Sequence, residues 1–115
     1  MTEAALQASI IKYLDTVLPP SIRAVHVMNN PRSPVHGARA KAQGMRAGVP
    51  DIMLIRSHGY VAFLEVKTAK GGLSEPQKEW ADWLASNDIP YAVVRSISDV
   101  ETALQDFNIP TRRAA

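Results

Sequence analysis

The chain has 115 residues, 46% of them apolar, with 13 Lys and Arg, 11 Asp and Glu, and no cysteine. That length bounds the fold to one domain, and the missing cysteine excludes disulfides, a thiolate zinc site and a thiol nucleophile. No apolar run is long enough to span a membrane, Met1-Thr2-Glu3 does not open a signal peptide, and a net charge of +2 is too small to argue for a polyanionic partner by itself.

Taken in order, the chain reads helix, strand, strand, strand, helix, strand, helix. Leu6, Ile10, Tyr13, Leu14 and Val17 recur at helical spacing, with Thr2 as N-cap and Pro19-Pro20 as the stop. Ile22 to Met28 reads as a strand. From Thr16 to Pro50 there is no Asp or Glu, while Arg23, Arg32, Arg39, Lys41 and Arg46 fall there with His26 and His36. Much of this block has loop composition, with room for a short helical turn over 38–43 that Gly44 and Gly48 limit. Ile52 to Ile55 and Tyr60 to Lys67 are strands of β-branched and aromatic residues, joined by the hairpin-length loop Arg56-Ser57-His58-Gly59. Ser74-Glu75-Pro76-Gln77 opens a helix containing Trp80, Trp83 and Leu84. Pro90 to Arg95 is a fourth strand, and Ser98-Asp99-Val100-Glu101 reads as the capping box of a last helix running towards Phe107. The domain covers 1–109, and 110–115 reads as a flexible tail.

The chemistry lies between the second and third strands. Glu65 and Lys67 are two apart and share a face of their strand, while Leu64 and Val66 take the other. A hairpin at 56–59 sets Asp51 laterally beside them. Carboxylate oxygens are the ligands magnesium takes, usually one or two from protein, the rest coming from water and phosphate. A surface salt bridge is the bland alternative for any one of these residues, worth only about 0 to 1 kcal/mol. The Gly48-Val49-Pro50-Asp51 lead-in, the hairpin spacing and the acid-free basic block together favour a site.

Gly48-Val49-Pro50-Asp51, Glu65-Val66-Lys67-Thr68 and Leu73-Ser74-Glu75-Pro76-Gln77, with the opening Glu3-Ala4-Ala5-Leu6-Gln7, resemble the VRR-NUC (virus-type replication-repair nuclease) branch of the PD-(D/E)XK nuclease superfamily, of the small phage or bacterial type. The resemblance implies an α/β restriction-endonuclease-like core, a mixed four-stranded sheet flanked by helices in the order αβββαβα. It implies metal held by Asp51, Glu65 and the Val66 carbonyl with help from Glu3, a catalytic lysine at Lys67, and a supporting Gln77. For Glu3 a place in the first helical turn, and for Gln77 a capping box with Ser74, are alternative explanations from the residues alone.

The expected activity is a Mg²⁺-dependent endonuclease, with Mn²⁺ able to substitute, acting as a homodimer on branched DNA such as four-way junctions. Arg32, His36, Arg39, Lys41, Arg46 and Lys70 are the candidate phosphate contacts. His58 reads as hairpin loop, and none of the three histidines stands at a ligand spacing from another. A non-catalytic binding module of the same fold and a sequence-specific or flap nuclease are the alternatives. The cytoplasm of a bacterial or phage-infected cell is the expected location.

Overall fold

The computed structural model describes residues 1–28 and 34–112, the side chains of 34–36 excepted. Helix α1 (Glu3–Val17) starts where Thr2 Oγ1 accepts the Ala5 amide at 3.1 Å, and buries Leu6, Ile10, Leu14 and Val17. Strands β1 (Ile22–His26), β2 (Ile52–Arg56), β3 (Tyr60–Val66) and β4 (Tyr91–Val94) form one sheet in the order β1-β2-β3-β4. The first three are antiparallel neighbours and β4 lies parallel to β3, so the sheet is mixed.

Helices α1 and α4 (Ile97–Asp106) cover one face of the sheet. Ile10, Leu14, Ile52, Leu54, Leu64, Val66, Val94, Val100 and Leu104 close the core there. At the far end Tyr60 donates from its hydroxyl to the Phe107 carbonyl at 2.9 Å, and Arg56 to Asn108 at 3.2 Å. The Arg112 amide donates to Val17 O at 2.7 Å, so the chain is tied down through residue 112, beyond the boundary at 109.

Three expectations need correction. The short helical turn allowed over 38–43 is a nine-residue helix, α2 (Pro34–Ala42), which makes the element order αβαββαβα. Ala38, Arg39, Ala40, Lys41 and Ala42 are good helix formers, and Gly44 stops them. Gly44, at φ +108, donates to Lys41 O at 3.1 Å and Met45 to Ala40 O at 2.8 Å, the paired bonds of a Schellman cap. The cap of α4 is Ser96 instead of Ser98: its hydroxyl accepts the Asp99 amide at 3.1 Å, which places Asp99, an acid, in the first turn. Arg56 belongs to β2 and pairs with Tyr60, leaving Ser57–Gly59 as a three-residue turn with His58 and Gly59 both at positive φ.

The two tryptophans of the third long helix lie outside the core. In α3 (Glu75–Ser86) only Leu84 is buried, and Trp83 is 54% exposed, edge-on to Trp80. The Trp80 indole N–H instead donates to Ala47 O at 3.0 Å, fastening α3 to the segment that leads into Asp51.

Candidate active site

The site grows out of the β2–β3 register. Ile52 pairs with Leu64 and faces the core, so the next step along the ladder brings Asp51 opposite Glu65 on the other face. The Val66 amide donates to Asp51 Oδ2 at 2.8 Å, which locks the aspartate to the strand carrying the other two residues. Glu65 is 1% exposed and Lys67 9%, an acid and a base buried two residues apart.

Glu65 is the unusual member. Both its carboxylate oxygens are buried without a hydrogen-bond partner among the described residues. Burial pushes its pKa up from 4.5 to about 9; the Asp51 carboxylate, close enough to share a hydrogen bond once one of the pair is protonated, and then its charge add to this, Lys67 opposes it, and Glu3 raises it further. A carboxylate desolvated beside another carboxylate is the state that a cation relieves.

That geometry tests whether a divalent ion suits the residues. The donors are carboxylate oxygens, two of them orphaned and buried, so a hard cation such as magnesium fits. Among the described residues no three of His, Asp or Glu gather as a complete protein cage. Glu3 instead lines a groove of about 570 Å³ with Gln7, His26, Met28 and Asp51.

Two residues join this site without having been singled out for it. The Tyr91 hydroxyl is buried and has no hydrogen-bond partner among the described residues, and its pKa is pushed to about 12 by burial and then by Glu65 and Asp51. Tyr91 pairs with Phe63, which puts its side chain on the Glu65 face. Only the parallel placement of β4 reveals this, and nothing in Pro90-Tyr91 signals it. His26 Nδ1 lies 3.0 Å from the Asp51 carbonyl and 2.7 Å from the Gln7 side-chain amide. In one tautomer Nδ1 donates to the Asp51 carbonyl and in the other it accepts from Gln7 Nε2, and either way the ring is held against the groove. A histidine closing a strand next to the acid was the available signal.

The remaining predicted residues sort differently. Gln77 Oε1 accepts the Ser74 amide at 2.8 Å and its own amide donates to Ser74 Oγ, so Gln77 closes a capping box. Arg39 and Lys41 lie in the last turn of α2, and Arg46 donates to the Lys41 and Met45 carbonyls at 3.1 Å each. Lys70 is exposed on the loop after Lys67. Arg32 and the side chain of His36 lie outside the described residues.

Gly48 sets the relation between the motifs. Its φ is +85, and a Cβ there would lie 2.4 Å from Pro76 C and 2.7 Å from the Gln77 amide nitrogen. Only glycine lets the G-x-P-D backbone sit directly on the start of α3. A family model for the VRR-NUC domain matches residues 21–97, well over half of the chain. The chain belongs to the VRR-NUC family. No curated protein sequence matches it. Among solved structures it is similar to one described as a VRR_NUC domain protein, at 19% identity and a TM-score of 0.72, covering 93% of this chain and 88% of that one. Another, described as a VRR_NUC domain, aligns at 17% identity and a TM-score of 0.65, covering 91% and 96%. At those identities the likeness speaks for the fold, a mixed four-stranded sheet flanked by helices. VRR-NUC membership makes the chain a nuclease-type DNA-processing module. No helix among the described residues is long and apolar enough to cross a membrane.

Proposed function

We propose that this chain is a magnesium-dependent, structure-specific DNA endonuclease that acts as a homodimer on branched DNA such as four-way junctions. The observation that carries the metal-dependent chemistry is Glu65, buried with both oxygens orphaned between Asp51 and Lys67. Asp51 and Glu65, with the Val66 carbonyl, would hold the ion, and manganese would substitute. When bound, it would supply Lewis-acid polarisation of the scissile phosphate and a more acidic water.

The chain's own residues do the rest. The Val66 amide fixes the Asp51 carboxylate in place. Lys67, its stem buried on the Glu65 face, brings a positive charge to offset what gathers on the phosphate as the bond to water forms. The groove lined by Glu3, Gln7, His26 and Asp51 has room for the substrate backbone. Arg39, Lys41 and Lys70 neutralise phosphates without reading bases. The dimer part of the proposal is supported by the sheet face turned away from α1 and α4, where Val25 and Ile55 remain exposed. A two-fold pair would present related sites to the opposed strands of a junction.

The test is a panel of labelled single-stranded, duplex, flap and four-way DNAs with magnesium, manganese or EDTA. Junction cleavage by symmetric paired nicks is expected with either metal and none in EDTA, and light scattering should give about twice the 12.6 kDa chain mass. Metal-independent binding without cleavage would reduce the chain to a binding module. Cutting of plain duplex at one sequence would make it a restriction-type enzyme.

A further inference from the structure

The parallel pairing of β3 with β4 sets their C-terminal ends side by side. Val94 O accepts the Lys67 amide at 3.1 Å, and the residue after Val94 is Arg95. Its Nη1 donates to the carbonyls of Thr68 and Gly71, both at 2.6 Å, using both hydrogens of one nitrogen. The Gly71 amide closes the same turn on Thr68 O at 3.1 Å. A Cβ on Gly71 would stand 3.5 Å from Lys67 Cδ, so the closed turn lies against the lysine stem. Arg95 is itself fixed, its amide donating to Asp99 Oδ2 at 2.8 Å from the first turn of α4.

We propose that Arg95 is a positioning residue for Lys67. The end of β4 holds the lysine twice, through the Val94 carbonyl on its backbone and through the Arg95 guanidinium on the turn that covers its side chain. Charge-assisted bonds to two carbonyls are stronger than neutral ones and suit the planar guanidinium. Without them the turn keeps its own closing bond, from the Gly71 amide to Thr68 O, and the lysine stem loses the surface that confines it. Where Lys67 acts on substrate, the inference rests on the nuclease reading. That Arg95 confines Lys67 does not.

The experiment pairs Arg95→Ala with Arg95→Lys and reads two quantities. In the first, the DNA-free protein is acetylated with acetic anhydride, and Lys67 modification is compared by peptide mass spectrometry with that of Lys12 on α1. Arg95→Ala should raise the Lys67-to-Lys12 ratio by about threefold or more, as the turn opens locally. In the second, cleavage is measured over a range of DNA concentrations that reaches saturation. Arg95→Ala should lower kcat by about tenfold with KM changed less than about twofold, the pattern of a misplaced group, not of weakened binding. Arg95→Lys should recover most of both effects. An unchanged Lys67 ratio in a folded Arg95→Ala protein would overturn the proposal, as would faster acetylation with unaltered kcat. A wild type that cleaves no DNA would instead remove the nuclease reading, leaving acetylation to decide whether Arg95 holds Lys67.

Discussion

Asp51 immediately precedes β2 and Val66 ends β3, yet the aspartate Oδ2 accepts the valine amide at 2.8 Å. One oxygen is thereby committed to orientation and the other is left to work with Glu65. The strand that carries the glutamate and leads into the lysine also aims the aspartate.

This arrangement separates charge from geometry. Asp51→Asn retains an oxygen that can accept the Val66 amide, so its Tm should stay near that of the wild type. Cleavage should still fall at least about a hundredfold, because losing a preorganised charge costs on the order of 3 kcal/mol in the barrier. Glu65→Ala and Lys67→Ala should lose a similar amount while still binding DNA. Single-turnover cleavage beside thermal melts measures both, and near-normal cleavage by any of the three would take that residue out of the mechanism.

Glu65 predicts an inverted pH response. Its folded pKa is raised, to about 9 against an ordinary 4.5, so between those values the native state binds more protons than the unfolded chain. Stability in EDTA is then fullest below about pH 4.5 as far as this group is concerned. It falls as pH rises towards 9, by up to about 1.4 kcal/mol per unit. Glu65→Gln should flatten this slope and raise the Tm at pH 8 in EDTA. Magnesium should raise the Tm of the wild type and leave the variant unmoved. A Glu65→Gln protein less stable than wild type in EDTA would contradict the orphaned carboxylate.

Gly48→Ala should be costly twice, through a φ of +85 and through a Cβ set 2.4 Å from the Pro76 carbonyl carbon. Backbone strain of this kind costs on the order of 1–3 kcal/mol. The added methyl also forces α3 away from the Asp51 segment. Urea melts followed by tryptophan emission should show both, because Trp80 bridges the two pieces through Ala47. An unshifted midpoint would mean that the close approach is relaxed in solution.

The basic residues should act on affinity in a graded way. Arg39→Ala, Lys41→Ala and Lys70→Ala should weaken binding to every DNA substrate. On duplex DNA the log–log salt slope should shrink by about 0.9 for each phosphate that is no longer neutralised. Arg46→Ala should also fray the end of α2, since its guanidinium holds two carbonyls there. Fluorescence anisotropy across a salt series checks this, and weakening confined to one base sequence would mean that the segment reads bases.

How much was legible follows from how local each signal is. Alternation along 60–67 and a short turn were enough to put Asp51 beside Glu65, because a hairpin has few ways to close. Thr2 and Ser74 were readable as caps, since each bonds an amide three residues ahead. The cap of α4 slipped from Ser98 to Ser96 because both serines precede an acid at capping distance, and only the packing of Val100, Ala103 and Leu104 chooses between them. Tyr91 and Arg95 were opaque for a different reason. Their partners lie across a parallel crossover, and nothing in a linear sequence states which strand end will arrive beside Lys67.

The parallel strand also orders the assembly of the site in time. Asp51 and Glu65 meet through a hairpin closed by a three-residue turn, the lowest closure entropy available to this sheet. The latch on Lys67 waits for α3 to pass over and for β4 to dock, a contact between more distant stretches. On the ribosome, a nascent chain that has emerged only as far as Val66 can already bring its two acids together. It has neither the lysine nor the arginine that confines it. On the proposed nuclease reading, hydrolytic competence would be withheld until the C-terminal part of the chain is in place.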